Sequence, residues 1–593
     1  MALSGPVPEL SPSALRVLEA RYLRRDANRR VVEAPAELFD RVARAVSQAE
    51  LVLGTAREAD RWQEAFGSLL ARRDFLPNSP ALMNAGTSLG QLGACFVVPV
   101  EDSMDSIFAS LRAMALIQRT GGGTGFSFSR LRPRGDVVGS TGGEASGPIS
   151  FMRVFDSATE NIKLGGRRRG ANMGVLRVTH PDVLEFIEAK QAGAALGNFN
   201  LSVGVTDAFM EAVRAESSYE LIHPGTRRGA GRLPARDVFD RIVEAAWRTG
   251  DPGLLFLDAI NRANPTPALG DIETTNPCGE VPLLPWESCV LGSINLANMV
   301  ERVDGRAEID WNRLKDTVWT GARFLDDVVE VSREPLPEVA DATRGNRKVG
   351  LGVMGFAECL ILLGVPYDSS EAITWADRLM AFIATEASQA SRRLAEQRGV
   401  FPNWGRSVYA ATGERVRNAT RLSVAPTGTI SIIAGTTGGI EPLFALAYRR
   451  EHTLGGGPLV EINPLVLRYA AEHPDLTDAI LATGRLGSVR GVPEPIRRLF
   501  ATATEVPVRQ HLRIQQAFQR HVDNAVSKTI NLPEDAGRED VAEAYLDGWG
   551  LGLKGVTVYR CGSRTGQILT LGLGEDLTAH EFFSKCDPGA CRL

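Results

Sequence analysis

From residue 76 onward, short apolar runs alternate with Gly/Ser/Asn-rich loops and with helical patterns. That alternation points to an α/β body. Four loops are too rich in glycine to be simple connections: residues 119–125 (RTGGGTG), 135–147 (GDVVGSTGGEASG), 165–174 (GGRRRGANMG) and 426–439 (PTGTISIIAGTTGG). Inside a compact body, long glycine loops are functional or disordered. Residues 1 to about 75 read instead as helices, with an irregular apolar face at Leu15, Val17, Leu18, Ala20 and Leu23 and a better one over 36–53.

Two helices in the body are marked by their starts. Asp102 and Ser103 can cap one that carries Met104, Ile107, Phe108, Leu111 and Ala115 at helical spacing and ends at Gly121-Gly122-Gly123. Another is expected at His180-Pro181-Asp182, with Pro181 in the first helical position and Leu184 and Ile187 facing inward. The most apolar stretch, 349–365, is interrupted by Glu358 and is too short for a bilayer span, so it reads as a core helix.

At 593 residues the chain exceeds what one core normally fills. A net charge of −5, without any Lys/Arg run, leaves no nucleic-acid footprint. The first residues, MALSGP, carry neither a basic nor an apolar leader segment, so a cytoplasmic protein with no membrane attachment is expected. The seven cysteines are Cys95, Cys278, Cys289, Cys359, Cys561, Cys586 and Cys591. In such a chain they suit catalysis, metal binding or core packing better than a structural disulfide framework. There is no Cys-x-x-Cys, no His-Glu-x-x-His and no phosphate loop ending in Gly-Lys-Ser/Thr. Chemistry must therefore be assembled from distant segments.

The segment 276–280 (NPCGE) is the strongest candidate. If it is extended, Asn276, Cys278 and Glu280 share a face, and an amide, a thiol and a carboxylate converge. Alone, it is equally well a loop with a buried cysteine. Its company changes that: Cys289 lies in SCVLGSINLAN and Cys95 in GACF. With SPALMNAGT, DSMDSI, GGGTGFSFSRLRPRGD, GGRRRGANMG, NFNLSVGVTD, APTGTIS, NAVSKTINLP, GLKGVTVYR and CDPGAC, in that order, the chain resembles ribonucleotide reductases from about 75 to 565 and again in its tail.

The resemblance implies an α/β fold, a ten-stranded barrel over 76–571 with Cys278 on a central finger loop, preceded by the helical region 1–75 and followed by a flexible tail, 572–593. It implies that a thiyl radical at Cys278 takes the 3′-hydrogen of a ribonucleotide. Glu280 would accept the 3′-OH proton, Asn276 would hydrogen-bond the substrate, and Cys95 and Cys289 would supply two electrons and finish as a disulfide. Cys586 and Cys591 would shuttle electrons to that disulfide from thioredoxin or a similar reductant. A zinc half-site is the weaker reading of this pair, because two further ligands are lacking nearby.

The turn Thr427-Gly428-Thr429-Ile430 has the small residues and hydroxyls that let backbone approach an anion. By the resemblance it binds the substrate's diphosphate, with Ser79, Ala94, Gly122 and Gly123 also lining the pocket. Asp102, Ser103 and Arg132 would hold a deoxynucleotide effector, and loop 165–174, through Arg167 to Asn172, would report its identity to the substrate base. A solvated basic patch is the alternative reading of residues 167–169, and the effector loop is the favoured one.

Three sources of the radical occur in the family. The adjacent tyrosines of the oxygen-dependent class are missing, since Tyr559 is followed by Arg560, and nothing resembles a glycyl-radical loop. The adenosylcobalamin-dependent class is expected, although no Asp-x-His-x-x-Gly motif is present. The alternative is a catalytic subunit driven by a separate metallo-radical protein. Diphosphate substrates and a homodimer are expected, Cys359 reads as core, and Cys561 has no assigned role.

Overall fold

The computed structural model describes residues 9–139, 142–162, 170–191, 195–450, 459–487, 489–563 and 569–571. Arg167, Cys586 and Cys591 lie outside them.

The chain opens with helices α1 (Pro12–Arg21), α2 (Pro35–Ser47), α3 (Ala49–Leu53) and α4 (Ala56–Ala71). Their starts follow from local chemistry. Ser11 and Thr55 accept N–H bonds from Ala14 and Glu58, while Pro12 and Pro35 occupy first-turn positions where no N–H is needed. Val17, Leu18, Phe39, Val42, Phe66 and Leu70 bury together, whereas Leu15 stays exposed.

The body is built on a ten-stranded sheet. Its strands, with the hairpin strands β7 and β8 that lie outside it, are β1 (Phe75–Pro77), β2 (Cys95–Val97), β3 (Gly123–Ser127), β4 (Asn172–Arg177), β5 (Phe199–Val205), β6 (Gly253–Phe256), β7 (Thr274–Thr275), β8 (Pro282–Leu283), β9 (Ser288–Asn295), β10 (Val349–Met354), β11 (Thr529–Leu532) and β12 (Gly555–Arg560). The sheet order is β1-β9-β2-β3-β4-β5-β6-β12-β11, with β10 added to the far side of β9. Strands β2 to β6 run parallel, as crossover connections require. Beyond β10, single bridges link Leu351 to Leu422 and Val424 to Val526, three residues before β11. Helices α5 (Ser79–Asn84), α6 (Met104–Arg119), α7 (Pro148–Asn161), α8 (Trp311–Val331) and α9 (Ser370–Arg398) complete the elements used below.

Three local expectations are corrected. The apolar stretch 349–365 is not one helix: it is β10 followed by the helix Phe356–Leu363, separated by Gly355 at φ 73°. The helix expected at Pro181 begins at Val183 and buries Val183, Phe186 and Ile187 rather than Leu184. On α6, Ser103 rather than Asp102 is the cap, and Ile107, Met114 and Ile117 face the core. Met104 and Phe108, about a quarter turn away on a 3.6-residue helix, are exposed.

A buried ionic cluster fastens the N-terminal helices to the body. Arg398 reaches Asp326 (2.9 Å), Asp327 (2.6 Å) and Glu50 (2.6 Å); Arg323 reaches Glu50 (2.6 Å) and Arg347 reaches Asp326 (2.9 Å). Burial opposes ionisation of Asp326, but Arg347, Arg417 and Arg398 more than offset it and hold the carboxyl well below its usual range. No helix among the described residues is long and apolar enough to cross a membrane. Arg398→Met should lower unfolding stability by about 3–5 kcal/mol in a urea titration, because it leaves buried Asp327 without a cation and removes one of the arginines that Asp326 and Glu50 share.

Candidate active site

Strands β7 and β8 pair antiparallel, Thr275 opposite Pro282, and form a hairpin whose tip carries Cys278. The tip is a turn, not an extended segment: the Gly279 N–H bonds the Asn276 carbonyl at 3.1 Å, and Gly279 sits at φ 84°. The expectation that 276, 278 and 280 share one face therefore fails, because the turn breaks the two-residue alternation. Asn276 and Glu280 are buried, and Cys278 is exposed on the wall of a cavity of about 510 Å³.

The buried pair meets the other cysteines. Cys95 on β2 is the register partner of Cys289 on β9. Directly opposed residues in an antiparallel ladder have Cα atoms about 4.5–5.5 Å apart, within the range a disulfide spans. The Asn276 side-chain amide donates to Cys95 Sγ at 3.1 Å, and Cys95 Sγ lies 3.9 Å from Glu280 Oε1. Asn276 Oδ1 accepts from the Val281 N–H at 3.0 Å, which fixes the amide's orientation. Burial pushes the Cys95 thiol well up, and the charges of Glu280, Cys289 and Cys278 push the same way. Burial also lifts the Glu280 carboxyl to about 7, and Asn276 and Cys95 only partly oppose it. Glu280 Oε2 has no hydrogen-bond partner among the described residues.

Glycines on β3 let the hairpin lie this close. A Cβ at Gly123 would stand 2.9 Å from the Pro277 ring, and one at Gly125 would run into the Thr275 carbonyl. Asn200 on β5 donates to the Pro277 carbonyl at 2.7 Å and also lines the cavity. Lys528, Asn531, Tyr559 and Phe444 line it too. Sequence reading met Asn200, Lys528 and Asn531 only as members of motifs, named Tyr559 only for the missing tyrosine pair and passed over Phe444; the alternating polar residues of NFNLSV and VSKTIN were the available signal for the first three.

The residues expected to bind substrate lie elsewhere around the hairpin, and none of them lines that cavity, although Pro426 does. The Ala94 carbonyl accepts from the Gly123 N–H at 2.8 Å, and Gly122 packs on Phe96. Ser79 opens α5 beside the capping Asn78, and its hydroxyl is 2.7 Å from the Tyr22 OH. Thr427, at φ 50°, accepts the Gly439 N–H at 2.8 Å; Gly428 is exposed; Thr429 Oγ1 accepts from Arg21 at 3.4 Å; and Ile430 begins a short helix. Helix α1 thus joins Ser79 to the 427–430 turn through Tyr22 and Arg21, two residues the sequence did not single out.

Asp102 and Arg132 meet in an ion pair at 2.8 Å, beside Ser103 at the start of α6. Asn172 is fully buried: its Oδ1 accepts from Gln118 and Thr124 (both 2.7 Å), and its Nδ2 donates to Thr159 at 2.8 Å. It ties β4 to α6, β3 and α7 instead of facing solvent. Cys359 is buried in the core, and Cys561 is half-buried at the end of β12.

The family model for the ribonucleotide reductase barrel domain matches residues 93–559, and that for the ribonucleotide reductase all-alpha domain matches 8–90. The chain belongs to the ribonucleotide reductase family. It is 52% identical to a vitamin B12-dependent ribonucleoside-diphosphate reductase of Mycobacterium tuberculosis, over 99% of this chain and 83% of that protein. It is 46% identical to the protein of the same name from Thermoplasma acidophilum, over 96% of this chain and 81% of that one. A vitamin B12-dependent ribonucleotide reductase of Streptomyces avermitilis is 29% identical, over 94% of this chain and 66% of its own length. In this reductase the barrel-domain match contains Cys95, Cys278 and Cys289, and the all-alpha match contains Arg21, Tyr22 and Ser79.

The burial pattern predicts the order of thiol modification. Brief iodoacetamide treatment of the native protein, followed by peptide mass spectrometry, should label Cys278 well before Cys95, Cys289 and Cys359.

Proposed function

We propose that this reductase converts ribonucleoside diphosphates to 2′-deoxyribonucleotides through a radical at Cys278, with adenosylcobalamin as its cofactor. The observation that carries this is the meeting of Cys278, Asn276, Glu280, Cys95 and Cys289 at one hairpin. The Cys278 sulfur takes the 3′-hydrogen. Glu280, buried and with one oxygen unengaged, takes the 3′-OH proton. Asn276 holds the substrate and keeps Cys95 beside Glu280. The 2′-OH then leaves as water, and Cys95 and Cys289 give up two electrons to form a disulfide.

The cofactor supplies a carbon-centred radical able to oxidise a thiol. Gly250, Gly253 and Gly555 are among the residues that line the cavity with Cys278, and its size suits a nucleoside-sized group. No histidine is among the residues lining it. Those residues fit the adenosyl part next to Cys278.

The bridges at Leu351/Leu422 and Val424/Val526 support closure of the sheet into a barrel around the Cys278 hairpin, which is then its finger loop. In this reading residues 1–75, 76–571 and 572–593 are helical region, catalytic barrel and redox tail, with Cys586 and Cys591 passing electrons from thioredoxin in the cytosol. The 427–430 turn, with Ser79, Ala94, Gly122 and Gly123, holds the substrate's phosphates and ribose. Asp102, Ser103 and Arg132 bind a deoxynucleotide effector, and Arg167 acts in the adjoining loop, whose end Asn172 anchors. Exposed Met104, Phe108, Val137 and Val154 support pairing of two chains at α6 and α7.

The test is turnover with adenosylcobalamin, an external dithiol and each ribonucleoside diphosphate, with no second protein. Deoxynucleotide formation is expected, and a requirement for a separate metallo-radical protein would overturn the cofactor assignment. Because Glu280 must be ionised to accept a proton, the rate should rise with pH through about 7. Glu280→Gln should lose both this limb and turnover.

A further inference from the structure

The two cysteines that face each other across β2 and β9 are not equivalent. Cys95 touches the hairpin through Asn276 and Glu280 and retains 4% exposure, whereas Cys289 retains none. On its other side β9 pairs in parallel with β10, Val290 opposite Val349. Lys348 immediately precedes Val349 and so stands beside Cys289 on the backbone leading into β10. Its side chain turns to the face Cys289 occupies, because it ion-pairs at 2.6 Å with Glu287, two residues before Cys289.

Lys348 is 1% exposed. Glu287 is its one hydrogen-bond partner among the described residues, although an ammonium has three N–H donors. Glu287 is itself shared, taking the Leu284 N–H at 2.7 Å and the Asn346 amide at 2.5 Å as well. A buried cation with unspent donors, ion-paired to Glu287, therefore adjoins Cys289, while the charged neighbour of Cys95 is an acid with no cation beside it. Burial pushes both thiols up; after burial, the largest influence on Cys289 is Lys348, which lowers it against the opposing charges of Glu287 and Glu280, and on Cys95 it is Glu280, which raises it.

We infer that re-reduction of the Cys95–Cys289 disulfide has a fixed polarity set by Lys348: the incoming thiolate attacks Cys95, and Cys289 leaves as a thiolate held beside the Lys348 ammonium. The inference rests on the reading that these cysteines are oxidised in turnover. Thiol–disulfide exchange favours attack at the accessible sulfur and departure of the better-stabilised thiolate, and both preferences agree here. In the first step the Cys95–Cys289 bond breaks and a bond from the external thiol sulfur to Cys95 forms. In the second, another thiolate attacks that external sulfur and releases Cys95, which takes up a proton. Two thiols have then become one disulfide, and two electrons have restored the pair. Lys348 is a positioning residue, since it acts through Cys289 and touches no substrate atom.

The experiment oxidises the Cys586→Ser, Cys591→Ser holoenzyme, which lacks the proposed tail shuttle, by a single turnover without reductant, then adds 2-mercaptoethanol. Samples are quenched in acid, alkylated with iodoacetamide and mapped by mass spectrometry. The expected product carries mercaptoethanol on Cys95 and the alkyl group on Cys289. The reverse labelling, or an equal mixture, overturns the proposed polarity. Absence of any Cys95–Cys289 disulfide after turnover counts instead against the reading on which the inference rests. Lys348→Met should slow mercaptoethanol reduction roughly tenfold more than it slows the preceding single turnover. Lys348→Arg, which keeps the cation, should restore most of that loss. Equal slowing of both phases in Lys348→Met, or no recovery with Arg, would reduce Lys348 to a structural role.

Discussion

The Asn276 amide that donates to Cys95 Sγ at 3.1 Å joins two parts of the chain 181 residues apart. It fixes the hairpin bearing Cys278 against the strand bearing Cys95, and through the β2–β9 register it fixes Cys289 as well. Other features follow from this contact. The hairpin can approach only because β3 presents Gly123 and Gly125 where any side chain would collide with Pro277 or Thr275. The tip can present Cys278 to the cavity only because Gly279 takes a left-handed turn, and Asn200 holds that turn by the Pro277 carbonyl. The Glu280 backbone carbonyl is gripped in turn by Ser423 Oγ and the Ala525 N–H, both at 2.9 Å.

Electrostatics follows from the same packing. Seating the hairpin against β2 and β9 removes Glu280 from water without giving it a cationic partner, so its carboxyl rises to about 7, a value suited to a base that works near neutrality. The buried carboxylates of the N-terminal junction behave oppositely where arginines surround them, as at Asp326. Burial alone does not single Glu280 out, since it also lifts Glu334 to about 7 and raises Asp327 beside Arg398; what distinguishes Glu280 is that it lies against Cys95 and Asn276.

The cysteines were legible in the sequence because a thiol in NPCGE, GACF and SCVLGS carries a chemical type that few other residues share. The α/β body was legible from alternation of apolar runs and glycine loops. The turn at Cys278 was not, since period-two reasoning treats five residues as extended and ignores what Pro277 and Gly279 do together. The face of α6 was missed because Met104 and Phe108 are as apolar as the residues beneath them, and only tertiary packing separates the two. Asn200, Arg21, Tyr22 and Lys348 were invisible for another reason: each is an ordinary polar residue until the fold brings it to Pro277, Thr429, Ser79 or Glu287. Asn172 enters from the resemblance as part of the loop that reports the effector, yet its side chain bonds Gln118, Thr124 and Thr159.

The central claim is that the unpaired electron resides on Cys278 during turnover. It is tested most directly by electron paramagnetic resonance on enzyme made with Cβ-deuterated cysteine and frozen while turning over with adenosylcobalamin and a ribonucleoside diphosphate. The expected signal has hyperfine structure that changes on deuteration and is absent from Cys278→Ser. A signal unaffected by deuteration, or one that persists in Cys278→Ser, would contradict the claim.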